Sequence, residues 1–383
     1  MRDASSDPSD LWSEVQPGAL AAVPVEELSV RALTIPTDAP EADGTLSWGS
    51  TTVVVVQVSA AGHTGLGFSY GAGAGASLVS ELLADVVIGS DALSPPAAWA
   101  RMRSAVRNAG YPGIASSAIS AVDIALWDLK ARVLGLALST LLGRVREQVP
   151  VYGSGGFTSY DLEQLDDQLT GWVRQGIAAV KIKVGSEPER DPERVRLARA
   201  VIGDGVRLFV DANGAYTRRQ ALALAERFAA EADVSWFEEP VSSDDLEGLR
   251  LLRDRSPAQV EIAAGEYGYD LFGFRRLLEA GAVDVLQADV TRCGGITQFI
   301  QVGALCAAHA LPLSAHTSPA IHAHLGAAVE PLIHVEYFHD HARIEELLFD
   351  GVPQLHDGAL WPDPALPGMG LELREGAADR YHH

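Results

Sequence analysis

The sequence predicts an α/β chain in which a closed parallel barrel follows a smaller region of antiparallel strands and helix. Three observations predict it. From about Val149 onward, eight short apolar runs alternate with longer amphipathic stretches; strand–helix alternation implies a parallel sheet, and about eight repeats imply a closed barrel. Ahead of them, residues 25–75 read as an antiparallel meander. Finally, 383 residues of which 47% are hydrophobic exceed one small core and suit one large domain with a smaller partner.

Taken in order, "STTVVVVQVSAAGHTGLGFSY" gives two apolar runs broken by "SAAGH", a hairpin signal. Two Gly/Pro/Asp-rich stretches flank it and read as loops, residues 34–49 and 70–76. Helical periodicity follows and is strongest in "SSAISAVDIALWDLKARVLG", Ser116 to Gly135. The barrel runs are "VPVYGS", "AAVKIKVG", "VRLFVDAN", "VSWFEEP", "VEIAAGE", "VDVLQADV", "LPLSAH" and "IHVEYF". Between them lie helical patterns such as "TRRQALALAERFAAEAD".

Seven of the eight runs carry an ionisable residue at the C-terminal end: Lys183, Asp211, Glu238, Glu266, Asp289, His316 and Glu336. The seven are spaced 20 to 28 residues apart, one barrel unit per step. Catalytic residues of such barrels sit at the C-terminal strand ends, so the seven would converge on one mouth. A single acid after a strand ordinarily caps the next helix. That explanation weakens for the set, because Glu is a poor N-cap and stands in "FEEP" and "AAGE" where Ser, Thr or Asp would be expected.

Three carboxylates, Asp211, Glu238 and Glu266, on successive strands would repel one another unless protonated or bridged by a cation. Three oxygen ligands with open positions suit a hard divalent ion, most simply Mg²⁺. Lys181 and Lys183 are two apart, so on a strand both point into the barrel. Adjacent ammonium groups and partial burial would lower their pKa values, leaving a usable general base. The alternative is a wet edge strand with solvated lysines. His316 and Asp289 end neighbouring strands, and a carboxylate on one imidazole nitrogen fixes the tautomer and raises the basicity of the other. Glu336, if protonated, would donate to a substrate carboxylate. Asn213 in "VDAN", Trp48 and Tyr70 are candidate substrate contacts, and Thr37, Asp38, Glu41, Asp43 and Ser47 offer further polar groups on the loops.

The ordered set "VKIKVG", "VDAN", "WFEEP", "AAGE", "QADVTRCGG" and "SAH", with the helix around "ASSAISAVDIALWDLKARVLG" and the late "PGMGLEL", resembles the mandelate racemase subgroup of the enolase superfamily over roughly residues 25–375. The resemblance implies a modified (β/α)7β barrel at 146–345, an α+β capping domain at 1–145 and a tail at 346–383 that returns to the cap. It implies Mg²⁺ on Asp211, Glu238 and Glu266, Lys183 as one base beside Lys181, a His316–Asp289 dyad as the other, and a small-molecule carboxylate substrate for a homo-oligomer. The shared first step is removal of the proton α to a carboxylate. Dehydration of an acid sugar, an aldonate or aldarate, is the reading favoured; racemisation or epimerisation at the same site and a non-catalytic barrel scaffold are the alternatives.

The net charge of −22 argues against nucleic acid and anionic membranes as partners. Cys293 and Cys306 are too few for a disulfide scaffold and read as core thiols of a reduced, cytoplasmic protein. No apolar run reaches the length of a membrane span, and "MRDASSDPSDLWSE" is no signal peptide. "GAGAGA" at Gly71–Ala76 formally fits a dinucleotide-binding pattern but follows a hairpin instead of opening a βαβ unit. His322 and His324 in "HAHLG" do not share a helix face and read as packing residues. His382 and His383 are set aside as candidate tag remnants.

Overall fold

The computed structural model describes residues 22–382; the N-terminal stretch examined above for a leader, and His383, lie outside them. The cap is a three-stranded antiparallel sheet, β1 (Glu27–Ala42), β2 (Ser47–Ala60) and β3 (His63–Tyr70), in the order β1-β2-β3. The helix Ile114–Val133 packs across it. Gly65 and Gly67 of β3 let that helix lie close: a Cβ at either would overlap helix backbone, at the Ala125 and Ala121 carbonyl oxygens respectively. Asp128 ties three parts together, accepting from the Leu66 amide of the sheet (2.8 Å), the Met369 amide of the tail (2.6 Å) and Arg132 (2.7 Å).

The barrel is closed by eight parallel strands, β4 (Val149–Gly155), β5 (Ala179–Lys183), β6 (Arg207–Asp211), β7 (Val234–Glu238), β8 (Glu261–Ala264), β9 (Val285–Ala288), β10 (Leu313–Ala315) and β11 (Leu332–Phe338), with β11 pairing back onto β4. Seven helices lie between them: Leu162–Arg174, Asp191–Ile202, Arg218–Ala232, Leu246–Arg255, Leu271–Glu279, Gly295–Ala308 and Pro319–Ala328. The (β/α)7β expectation holds, and each of the eight apolar runs is a strand. Four of the helices begin with side-chain caps, Asp161, Thr217, Asp245 and Asp270. None of the seven strand-end ionisable residues is among these caps, which removes the helix-capping explanation for them.

Inside the barrel, Tyr152, Ala179, Phe209, Trp236, Ala263 and Val285 form a buried layer, one residue from each of β4 to β9. Strand alternation then dictates what stands above it: two residues after Ala179, Phe209 and Trp236 come Lys181, Asp211 and Glu238, on the same inward face. Lys181 Nζ lies 5.4 Å from the centre of the Tyr152 ring. The polar mouth therefore rests on an apolar floor that excludes water from below.

Two sequence expectations are corrected. Residues 34–49 are a hairpin arm more than a loop: β1 runs on to Ala42, across a register shift between Pro36 and Glu41, and pairs with β2 from Ser47. The stretch 70–76 is open only at Gly71–Gly73, with helix beginning at Ala74. It leaves an antiparallel sheet, so the βαβ context of a dinucleotide site is absent there. The tail returns to the cap: Arg31 pairs with Glu375 at 2.8 Å, and Leu33 bridges to His382. Among the described residues no helix is long and apolar enough to cross a membrane, and both cysteines are buried and unpaired.

Candidate active site

Five of the seven ionisable residues sit at or just after the C-terminal ends of β5, β6, β7, β9 and β10; Glu266 lies two residues beyond β8, and Glu336 two residues short of the end of β11. All seven, and Lys181, are buried. Lys181 Nζ lies 2.6 Å from Glu238, 2.8 Å from Glu336 and 3.4 Å from Asp211. Lys183 Nζ contacts Asp211 Oδ2 at 2.5 Å and Asn213 Oδ1 at 3.1 Å. Asn213 holds its position with φ of 45°, a conformation Asn tolerates better than most residues.

The lysine environment differs from the sequence expectation. Burial does act to lower both, but Glu238 and Glu336 hold Lys181 well above its ordinary value, and Asp211 raises Lys183. The carboxylates facing them outweigh both desolvation and mutual repulsion. For Glu336 too the neighbours run against the protonated form that the donor role needs. Burial opposes its ionisation, yet Lys181 and His316 pull it down to about 2. Its oxygens accept from Ser154 Oγ (2.5 Å) and the Thr317 amide (3.1 Å).

On the other side, His316 Nδ1 lies 2.9 Å from Asp289 Oδ2, and its Nε2 lies 2.9 Å from Glu266 Oε2 and 3.7 Å from Glu336. Burial would lower His316, but Glu266, Glu336 and the bond to Asp289 push it up to about 10. Asp289 Oδ1 accepts from the Thr291 amide and hydroxyl, both at 2.7 Å, which orients the carboxylate. The turn carrying His316 is strained: Thr317 and Ser318 have φ of 52° and 45°. His322 supports it from beneath, with Nδ1 2.7 Å from the Thr317 carbonyl and Nε2 accepting from the Val290 amide at 3.2 Å. So His322 is buried, as the packing reading expected, and also braces the His316 turn.

The metal candidates meet the lysines and the imidazole in this structure. Asp211 and Glu238 are paired in register on adjacent strands, whereas Glu266 turns to His316 and to Arg292 at 3.6 Å. The three do not bring ligand atoms within 4.8 Å of one another; among the described residues the group that does is Asp38, Glu41 and His339, beside the arm. The donor set Asp211, Glu238 and Glu266 nevertheless fits a hard cation. Burial and the neighbouring Asp211 push Glu238 up to about 8 despite Lys181, and a cation bound there would oppose that shift by favouring the ionised carboxylate. Burial and Glu266 also push Glu239 well above its ordinary value, and its Oε1 has no hydrogen-bond partner.

The cap closes over this layer. A Cβ at Gly44, at the tip of the arm, would lie 2.6 Å from the Val184 and Ala212 carbonyl oxygens of the barrel. The arm is also bonded to the loop after β4, through the Thr158 amide to Ala42 (2.8 Å) and Ser159 Oγ to Pro40 (2.6 Å). A cavity of about 410 Å³ remains between arm and strand ends. Lys183, Asn213, Glu266, His316 and Glu336 line it from the barrel, and Asp43, Trp48 and Tyr70 from the cap. Lys181, Asp211, Glu238 and Asp289 lie beneath that surface; Thr37, Asp38, Glu41 and Ser47 do not line it. Trp48 Nε1 donates to Glu41 at 2.8 Å, and Tyr70 stacks on His341 at 3.4 Å. Sequence reasoning passed over Arg292, which lines the cavity and lies 3.5 Å from Asp289. Its one signal was its position three residues after Asp289 in the quoted "QADVTRCGG".

A capped parallel barrel with buried carboxylates, two lysines and an Asp-supported histidine at its strand ends defines a class of enzymes that do acid–base chemistry on carboxylates. Residues 28–143 match the mandelate racemase / muconate lactonizing enzyme N-terminal domain, and residues 164–377 the enolase C-terminal domain-like family. The chain belongs to the mandelate racemase / muconate lactonizing enzyme family. A mandelate racemase/muconate lactonizing enzyme-like protein of known structure from Rubrobacter xylanophilus is 59% identical, with a TM-score of 0.92 over 94% of this chain and 100% of that one. The 3,6-anhydro-alpha-L-galactonate cycloisomerase of Streptomyces coelicolor is 35% identical, over 82% of this chain and 86% of its own length. The L-talarate/galactarate dehydratase of Salmonella typhimurium, in a structure liganded with Mg and L-lyxarohydroxamate, is 28% identical with a TM-score of 0.87, over 100% of this chain and 96% of that one.

Proposed function

We infer that this enzyme removes the proton α to the carboxylate of an acid sugar and eliminates the β-hydroxyl, giving a 2-keto-3-deoxy acid. The observation that carries this reading is that Lys183 and His316, from strands three steps apart around the ring of eight, line one cavity. Asp211, Glu238 and Glu266 are the residues that would hold Mg²⁺. A divalent cation held there would supply positive charge against the developing enolate.

In the forward direction one of the two groups, Lys183 or His316, takes the α-proton as the C–H electron pair enters the enolate. The enolate then expels the β-hydroxyl, which leaves as water with a proton from the other group. The resulting enol ketonises. His316 suits the donor role, because Asp289 engages Nδ1, and Nε2, held here by Glu266, is the nitrogen that remains for the departing group. Lys181, buried and charged, stabilises negative charge beneath the substrate. The same two groups would serve epimerisation or cycloisomerisation, and the cycloisomerase relative favours that as the second reading.

The test is a screen of aldonic and aldaric acids with Mg²⁺ and with excess chelator. Metal-dependent release of a 2-keto-3-deoxy product is expected. Undiminished turnover in chelator, with no metal by elemental analysis, would refute the metal assignment; isomeric product without loss of water would select the second reading.

A further inference from the structure

The cavity has two ends of opposite character. Its lining cations, Lys183, Arg292 and His316, belong to the barrel end, where a substrate carboxylate and the charge developing beside it would sit. Neither Lys183 nor Arg292 is a spare cation: the first is paired with Asp211, the second with Glu266 and Asp289.

Among the described residues the cap end carries no lysine or arginine on its lining. Leu46 and Trp48 contribute apolar surface, Ser50 a hydroxyl and Asp43 a carboxylate; the hydroxyls of Thr52 and Tyr70, also lining residues, are bonded to Thr34 and to Glu345 and the His341 carbonyl. His341, also lining, is pushed down to about 3 chiefly by burial and adds no positive charge. Behind this wall stand more acids. Thr51 donates to the buried Asp340, Trp48 to the buried Glu41, and Asp38 lies against His339. The arginine in this region, Arg343, is committed to Asp340 and to the Pro36 carbonyl.

A second carboxylate at the cap end would therefore lose water, meet Asp43 and find no cation. Like charges brought together at a binding surface select against the wrong ligand. A neutral end, with hydroxyls or a methyl group, would instead meet the Ser50 hydroxyl and the Trp48 face. We propose that the acid handled by this site carries one carboxylate, bound at the strand ends, and a neutral distal end against the hairpin arm: an aldonate, not an aldarate. The proposal rests on the acid-sugar reading above and narrows it.

The experiment compares matched aldonate–aldarate pairs that share chain stereochemistry, in Mg²⁺. It reads kcat/KM for the wild type and for Ser50→Arg, and binding by calorimetry to Lys183→Ala. For the best pair, the aldonate is expected to lead by at least about ten-fold, the scale of one unfavourable charge contact. Ser50→Arg, by placing a cation on the cap wall, should narrow or reverse that ratio. An aldarate turned over as well as its aldonate would overturn the single-carboxylate proposal and leave the acid-sugar reading standing. An unchanged ratio in Ser50→Arg would overturn the arm as the distal wall. If no pair is turned over, the acid-sugar reading falls, and the binding preference of Lys183→Ala decides the charge selectivity. Absence of binding by both acids of every pair would overturn both.

Discussion

Replacing Asp289 by Asn removes one negative charge and changes almost no volume, yet the geometry predicts a large kinetic effect. Asp289 Oδ1 receives two donors from Thr291, each at 2.7 Å, while Oδ2 faces His316 Nδ1 at 2.9 Å. In the variant the amide oxygen stays with the two Thr291 donors, because the NH₂ group cannot accept from them. The NH₂ then faces Nδ1 and turns it into an acceptor. The imidazole is forced into the Nε2–H tautomer, and Nε2 can no longer take up a proton from substrate; without the Asp289 carboxylate the ring also loses one of the three partners, with Glu266 and Glu336, that hold it cationic as a donor. The loss should approach that of the acid–base group itself, about 10²- to 10⁴-fold in kcat/KM, or about 3 to 5 kcal/mol of transition-state stabilisation. Loss of an orienting partner alone would cost only about 10- to 100-fold. The assay is product formation from the best acid, with circular dichroism confirming the fold. Activity within a few-fold of wild type in a folded Asp289→Asn enzyme would refute the dyad.

Two further outcomes follow from buried charge. Lys181→Met strips the cation from three buried carboxylates and should lower the melting temperature in chelator, since breaking a buried pair costs about 3–5 kcal/mol; Mg²⁺ should then raise it more than in wild type, and equal shifts in both proteins would count against a cation site on those carboxylates. Glu41 is pushed up to about 8 by burial and Asp340, so the folded state keeps a proton that the unfolded chain has released, and stability falls as pH rises from about 4.5 to about 8. Glu41→Gln should flatten that dependence and melt higher than wild type at pH 9 but not at pH 4; identical profiles in thermal melts would show that Glu41 is not the group responsible.

The barrel was legible because seven of its eight strands announce themselves twice, as an apolar run and as an ionisable residue near where the run stops. Nothing but strand alternation is needed to put Lys181 above Ala179 or Glu238 above Trp236. The arm was read as a loop because Pro36, Asp38 and Pro40 are poor strand formers, but β1 is an edge strand, where proline costs no ladder bond, and a register shift absorbs the irregularity. The charge state of the lysines was misread for a different reason. Neighbours two apart in sequence are visible, whereas Glu238 and Glu336, which outweigh them, arrive from strands 57 and about 155 residues away. Arg292 escaped notice likewise: its partner Glu266 comes from the preceding strand, and only the folded mouth brings the two together.

Deuterium exchange at the substrate α-carbon, followed by proton NMR, tests the two-base reading most directly. Wild type, Lys183→Ala and His316→Asn are compared in D₂O with Mg²⁺ after each is shown to be folded. Both variants should lose the complete reaction, while the one that keeps the abstracting base still exchanges the α-proton. Product formation at near wild-type rates by both variants would contradict the assignment of Lys183 and His316 as the groups that move protons.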